Sequence, residues 1–286
     1  MAPSAPLSTA KLAFIGGGNM AGAIIGGLLA GGVDTANISV SEPWDVNRGK
    51  MAALGVHTTT SNGEVAAWAD LVVISVKPQV TETACKDLAA AWKELGADKK
   101  LPLVVSIAAG ITIDSLRAWT TTAAGRVPHV VRVMPNTPAL VGEGASGVYA
   151  GDDITDEERE LVTQMLSSVS KATEWVARED LLDVVTGLSG SGPAYFFAMV
   201  EHLITSATAL GLPVDQASRL AKQTCLGAGK MLVQSSDEPG QLRKNVTSPN
   251  GTTHAALVSF EESGFEAIVN KAVDAATKRS VELGKK

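Results

Sequence analysis

Two clusters of residues, far apart in the chain, have types and spacing suited to chemistry, and both would work through backbone N–H groups. The first is Gly16-Gly17-Gly18-Asn19-Met20-Ala21-Gly22. Gly16 and Gly18 fill the first two positions of GxGxxG, and Ala21 fills the third, where alanine is accepted because the demand is close helix–strand packing. Gly16 permits a tight turn and Gly18 lets the backbone approach a pyrophosphate. A helix opening at Asn19 and Met20 directs its free N–H groups at that charge. Preceded by KLAFI and followed by a helix and a second strand, the string has the context that a dinucleotide site requires. The next determinant falls in Ser41-Glu42-Pro43-Trp44-Asp45-Val46-Asn47-Arg48. Glu42 stands where an acid accepts hydrogen bonds from ribose hydroxyls and repels a 2′-phosphate. Arg48 and Asn47 would bind that phosphate if the loop turns Glu42 away, and solvated helix-start residues are the plain alternative. Lys77 and Asn136 lie in proline-bounded segments just beyond two further strands. There Lys77 would meet phosphate or ribose, and Asn136 the nicotinamide or a substrate-bound water; turn chemistry alone would also select such residues.

The second cluster is Val246-Thr247-Ser248-Pro249-Asn250-Gly251-Thr252-Thr253-His254. Pro249 and Gly251 shape a turn, Thr252 or a neighbour caps the helix that follows, and its first N–H groups form a cradle for a carboxylate. Thr253 presents a hydroxyl beside it. An ordinary N-cap fits the same spacing equally well, and His254 reads as a solvated helix residue. A further turn, Leu188-Ser189-Gly190-Ser191-Gly192-Pro193-Ala194-Tyr195, lacks the GKS or GKT of a phosphate loop and reads as a hinge or domain-packing element.

Elements that alternate must position these residues. Strands are expected at Lys11–Ile15, Ile38–Glu42, Leu71–Ser75, Leu103–Ile107, Val130–Met134 and Ser146–Ala150. Helices are expected at Asn19–Ala30, Val46–Leu54, Val80–Glu94, from near Ile111, and at Asp156–Ser168. This pattern predicts a mostly parallel α/β sheet covered on both faces, a Rossmann-type domain over residues 1–178. Residues 179–286 carry long helical segments and no convincing strand: Tyr195–Leu210, Val214–Gln234, Pro239–Val246, and one from near Thr252 that bends or breaks at Gly264. So few helices would lack enough core alone, which predicts dimerisation through their faces.

Composition bounds the rest. Of 286 residues, 45% are hydrophobic and 19% charged, enough apolar content for a folded core. A formal charge of −6 and the lack of a basic run argue against a nucleic-acid groove. Cys85 and Cys225 read as reduced packing residues, and the four histidines have no zinc spacing, so no metal is expected. The N-terminal MAPSAPLSTAK has neither the apolar core of a signal peptide nor repeated arginines, and no window suits a membrane span; a cytoplasmic location is expected.

Together these segments resemble the pyrroline-5-carboxylate reductase family through nearly the whole chain. The anchors are FIGGGNMAGAII at 14–25, VKP at 76–78, MPNTPALVGEGA at 134–145, GLSGSGPAYFF at 187–197 and LRKNVTSPNGTTHAAL at 242–257. The resemblance implies reduction of 1-pyrroline-5-carboxylate to L-proline with NADPH or NADH, and an intertwined helical homodimer that can assemble further into a decamer. It implies that the turn at Ser248–Thr253 holds the substrate carboxylate through backbone N–H groups and hydroxyls, with Thr253 near the imine nitrogen. Asn250 stands where many members have glycine, and asparagine is the residue best able to take a left-handed conformation there. Hydride transfer to a protonated imine needs orientation and exclusion of water more than acid–base machinery. A β-hydroxyacid dehydrogenase would need a lysine acid that the region Gly187–Ala198 does not supply. Reduction of another cyclic imine, or a binding protein that has lost turnover, are the competing readings.

Overall fold

The computed structural model describes residues 5–96 and 99–284; residues 1–4 of the N-terminal segment read for targeting signals lie outside them. Cα proximity divides the chain into two compact units, Met1–Gly190 with Ala276–Lys286, and Ser191–Ala275.

The first unit is built on an eight-stranded sheet in the order β3-β2-β1-β4-β5-β6-β7-β8. Its strands are β1 (Leu12–Ile15), β2 (Ile38–Ser41), β3 (His57–Thr59), β4 (Leu71–Ile74), β5 (Leu103–Ser106), β6 (Val130–Met134), β7 (Gly144–Ala150) and β8 (Ser170–Trp175). The first six run parallel, β7 is antiparallel to β6, and β8 is parallel to β7. The helices of this unit are α1 (Ala5–Thr9), α2 (Asn19–Ala30), α3 (Asp45–Ala52), α4 (Asn62–Trp68), α5 (Pro78–Trp92), α6 (Ile113–Thr120), α7 (Asp156–Ser167) and α8 (Leu181–Val185). β1 and β4 are buried at every residue because helices cover both faces, so their sequences LAFI and LVVI are continuous apolar runs. Alternate residues serve the two faces: Leu12 and Phe14 join a core with Ile24, Leu28 and Leu166, while Ala13 and Ile15 join another with Leu88 and Trp92. The Trp92 indole N–H donates to the Ala66 carbonyl at 3.0 Å, so burying it leaves no donor unpaired.

Several elements were absent from the sequence reading. β3 and α4 fill the link between α3 and β4, and β8 forms an edge strand just beyond the helix expected to end at Ser168, where no element was expected. The turn expected at Leu188–Tyr195 is helical for much of its length. A π-turn spans Thr186–Gly190 directly after α8, and the next helix begins at Gly192. Single π-turns are uncommon and often accompany functional sites.

The second unit holds α9 (Gly192–Ala209), α10 (Val214–Gln234), α11 (Pro239–Asn245), α12 (Thr252–Glu262) and the start of α13 (Phe265–Gly284). Gly264, at φ 71°, breaks α12 from α13. Gly192 and Ala217 are the only buried residues from 191 to 275. Phe196, Phe197, Leu203, Leu220, Leu226 and Ile268 are all exposed. The last turns of α13 belong to the first unit: the Ser280 hydroxyl donates to Asp183 Oδ1 at 2.5 Å. Both cysteines are free, and burial pushes the Cys85 thiol up to about 12, which makes it inert. No helix among the described residues is long and apolar enough to cross a membrane.

Candidate active site

In an open parallel sheet, ligands bind beyond the carboxyl ends of the strands where the order reverses. Here that reversal lies between β1 and β4. Gly16 leaves β1 at φ 100°, a conformation that strains any residue bearing a Cβ. A Cβ there would stand 3.0 Å from the backbone of Ser75, at the end of β4. The Ser75 hydroxyl lies within hydrogen-bonding distance of the carbonyls of Ile15 at 2.9 Å and Gly16 at 2.7 Å, which fixes the turn against its neighbouring strand. Gly18, the N-cap of α2, has an ordinary extended conformation and offers no side-chain cap. Among the described residues, no atom other than those of Gly18 itself and its chain neighbours comes within 4 Å of where its Cβ would be. Nothing in the fold itself therefore requires glycine at position 18. The open space lies above the free N–H groups at the start of α2, which is the environment that a pyrophosphate needs.

A cleft of about 310 Å³ opens at this point, and Gly18, Asn19, Met20, Lys77, Ala109 and Met134 are among the residues lining it. It brings together strand ends from β1, β4, β5 and β6. Lys77 is exposed at the N-cap of α5, immediately before Pro78. Asn136, Glu42 and Arg48, among the residues singled out from the sequence, are not in its wall. Asn136 is buried, and both ends of its amide are engaged: Nδ2 donates to the Ser189 carbonyl at 3.1 Å, and Oδ1 accepts the Ala145 N–H at 2.9 Å. Its neighbours Met134 and Pro135 line the cleft instead. Glu42 turns inward, with Oε2 accepting the Gly17 N–H at 2.7 Å and Oε1 the Trp44 N–H at 2.9 Å. Arg48 closes the same loop from outside, donating to the carbonyls of Glu42 and Pro43 and pairing with Asp45.

The second unit contains the other cluster. The Gly251 N–H donates to the Ser248 carbonyl at 3.0 Å across Pro249 and Asn250, and Asn250 has φ 58°. Proline at the second turn position and a positive φ at the third form the pattern of a type II turn. Asn250 is the only residue other than glycine with positive φ among the described residues. The turn delivers Gly251 to the N-cap of α12, where it has no side chain to cap the helix. Of the caps expected from Thr252 or a neighbour, the neighbour Gly251 takes the N-cap position without a side-chain hydrogen bond, and Thr252 and Thr253 are the first residues of the helix itself. The N–H groups of Thr252, Thr253 and His254 fall in the first turn, where a helix supplies them no acceptor. Ser248 and Thr252 are exposed, and Thr253 is half-buried. An anion with several acceptor oxygens suits this end of the helix. Among the described residues, no group of three or more His, Cys, Asp or Glu is placed to hold a metal ion.

A doubly wound sheet with a glycine turn at its reversal point has the architecture of the dinucleotide-binding proteins, and the helices that follow form a separate unit. Comparison with known proteins narrows the class. Residues 179–283 match the family model described as pyrroline-5-carboxylate reductase dimerisation, and residues 11–110 match that of the NADP oxidoreductase, coenzyme F420-dependent. The chain is 48% identical to the pyrroline-5-carboxylate reductase of Pseudomonas aeruginosa over 278 residues, covering 97% of this chain and 98% of that protein. It is 41% identical to the enzyme of Arabidopsis thaliana, covering 97% of each. A pyrroline-5-carboxylate reductase structure from Coxiella burnetii superposes with a TM-score of 0.88 at 37% identity, covering 97% of this chain and all of that one. The pyrroline carboxylate reductase of Plasmodium falciparum, solved with NADP bound, superposes with a TM-score of 0.80 at 27% identity over 97% of this chain and 99% of that one. The chain belongs to the pyrroline-5-carboxylate reductase family. It is an oxidoreductase that uses a nicotinamide cofactor.

Proposed function

We propose that the chain reduces the C=N bond of 1-pyrroline-5-carboxylate to give L-proline, with NADPH as the preferred reductant and NADH as a second one. The observation that carries this reading is near-full-length identity to reductases of that name, joined to two sites whose glycines and N–H groups suit a pyrophosphate and a carboxylate. A nicotinamide cofactor whose pyrophosphate lay at the β1–α2 turn would supply a hydride to the imine carbon. A C–H bond forms there, the π pair of C=N passes to nitrogen, and a nitrogen that arrives protonated leaves as the amine. Gly16, Gly18, Asn19 and Met20 hold the pyrophosphate, with Lys77 beside it. The substrate carboxylate is held at Ser248, Asn250, Gly251, Thr252 and Thr253. Thr253 orients the ring nitrogen, directly or through water, since an aliphatic hydroxyl is a weak proton donor. The first turn of α12 holds no Asp or Glu, and orientation alone lowers such barriers substantially. Asn136 holds the β6 end of the cleft. Residues 179–286 serve as a dimerisation and substrate-binding domain, the homodimers assemble into a decamer of five, and the enzyme works in the cytoplasm.

Initial rates of NADPH and NADH oxidation, with and without the imine, test the reading. Substrate-dependent oxidation with proline as product is expected; cofactor binding without turnover would overturn it. Thr253→Val is expected to lower kcat/KM about 10-fold or more, in line with loss of an orienting hydrogen bond in the transition state. An unchanged value would remove the hydroxyl from the mechanism.

A further inference from the structure

We propose that Glu42 positions the phosphate-binding turn and does not read the ribose 2′ position, so that its loss weakens NADPH and NADH alike. This rests on the nicotinamide-dependent activity proposed above. An acid at the end of the second strand ordinarily accepts from the ribose hydroxyls and so marks an NADH site. The geometry here commits the residue elsewhere. Glu42 is 8% exposed. One carboxylate oxygen accepts the Gly17 N–H at 2.7 Å and the other the Trp44 N–H at 2.9 Å. Its own N–H donates to the Thr59 carbonyl at 2.9 Å, and its carbonyl accepts Arg48 Nη1 at 3.0 Å. Every polar group of Glu42 thus ties together the phosphate turn, the loop before α3, and the end of β3.

The turn depends on this clamp. Gly17 is itself buried, so a Glu42 carboxylate that swung out to a ribose would strand its N–H without water to replace the bond. The contact is also tight: a Cβ on Gly17 would stand 3.3 Å from Glu42 Cβ and 2.9 Å from Met51 Cγ. Gly17 lies between Gly16 and Gly18, so its orientation sets where the free N–H groups at the start of α2 point. Both cofactors share the pyrophosphate that those groups bind. The acid that would mark an NADH site is therefore spent inside the fold, and selection at the 2′ position falls to residues other than Glu42.

The test uses the full-length enzyme with Glu42→Gln and Glu42→Ala, titrated with NADPH and with NADH at saturating imine. Dissociation constants come from nicotinamide fluorescence, and thermal unfolding checks that each variant is folded. In Glu42→Ala, KM and Kd for both cofactors are expected to rise together by about 10-fold or more, the scale of lost hydrogen bonds to a charged group. Glu42→Gln keeps one acceptor and should fall between, and it carries the test if the alanine variant does not fold. The NADPH-to-NADH ratio of kcat/KM should stay within about 2-fold of the parent enzyme, and kcat should move less than KM. Better use of NADPH with loss of NADH would make Glu42 a ribose ligand and overturn the proposal, as would unchanged constants for both. If the parent enzyme binds cofactor but reduces no imine, the function proposed above fails, while the two sets of Kd values still decide the role of Glu42.

Discussion

Phe14 and Phe197 are the same side chain in opposite circumstances. Phe14 sits on β1 with no exposed surface, between α2 and its neighbouring strands; Phe197 sits on α9 with 68% of its surface exposed. The contrast extends to the units that hold them. The sheet unit has a closed core on each face of its strands, whereas the helical unit buries only Gly192 and Ala217. Helices that place Phe196, Phe197, Leu220 and Ile268 in water forgo roughly 2–3 kcal/mol for each such side chain. A sheet can cover itself with its own helices, but five helices with this little shared core need a second copy. The match to a dimerisation family over residues 179–283 fits that need.

The sharpest way to break this comparison is to make the helical face polar. Phe196→Asp combined with Phe197→Asp is expected to dissociate the proposed homodimer and abolish the proposed imine reduction, because charge replaces exposed apolar side chains in the region matched to a dimerisation family. Sedimentation would report the mass, and rates would report the loss. NADPH binding to the sheet unit should persist, as seen by nicotinamide fluorescence. A double variant that remains dimeric and active would show that these residues face water in the working enzyme and that another surface joins the copies.

A smaller effect sharpens the other side. Glu158, in the sheet unit, completes a capping box with Thr155 at the start of α7 and receives Lys100 Nζ at 2.6 Å and His129 Nδ1 at 2.8 Å. Burial alone would raise its pKa, but the bonds from Lys100, the Thr155 N–H and His129 outweigh it and hold the carboxyl below its ordinary value of 4.5. A folded-state pKa below the unfolded one contributes stability that is present above pH 4.5 and lost as pH falls through the folded value. Glu158→Gln should therefore cost about 1–2 kcal/mol at pH 7, and its unfolding curve should converge on the parent's at low pH. Because the whole network lies in the sheet unit, the difference should not vary with protein concentration. A gap that widens toward acid would refute the assignment.

What the sequence revealed followed the same division. The strands buried on both faces were legible within a residue or so, because LAFI and LVVI have no other use in water. The edge elements were not. HTT in β3 and SKATEW in β8 face solvent on one side and carry too few apolar residues to stand out from loop. The π-turn was hidden by the glycines of GLSGSGP, which read as an open turn. In the two candidate sites, glycine spacing located the helix starts at Asn19 and Thr252, since those depend on backbone. The directions of Glu42 and Asn136 were not legible, because a carboxylate or amide at a strand end fits a ligand or a neighbouring backbone equally well.

The smallest expected effect isolates backbone conformation from side-chain contact, in the unit with little core. Asn250 holds φ 58° in an exposed turn, where an alanine pays for the left-handed conformation that asparagine tolerates and glycine adopts freely. Asn250→Ala should strain the turn by about 1 kcal/mol and so raise KM for the imine about 5-fold. KM for NADPH should be unmoved, because the cofactor site proposed above lies in the sheet unit. Asn250→Gly should retain the parent's KM, having lost the side chain but kept the geometry. If glycine raised KM as alanine does, the asparagine amide itself would be touching the substrate, and the cradle would be part side chain. If neither changed it, the turn at Ser248–Gly251 would not be shaping the anion site at all, and the free N–H groups of Thr252 and Thr253 would have to act without it.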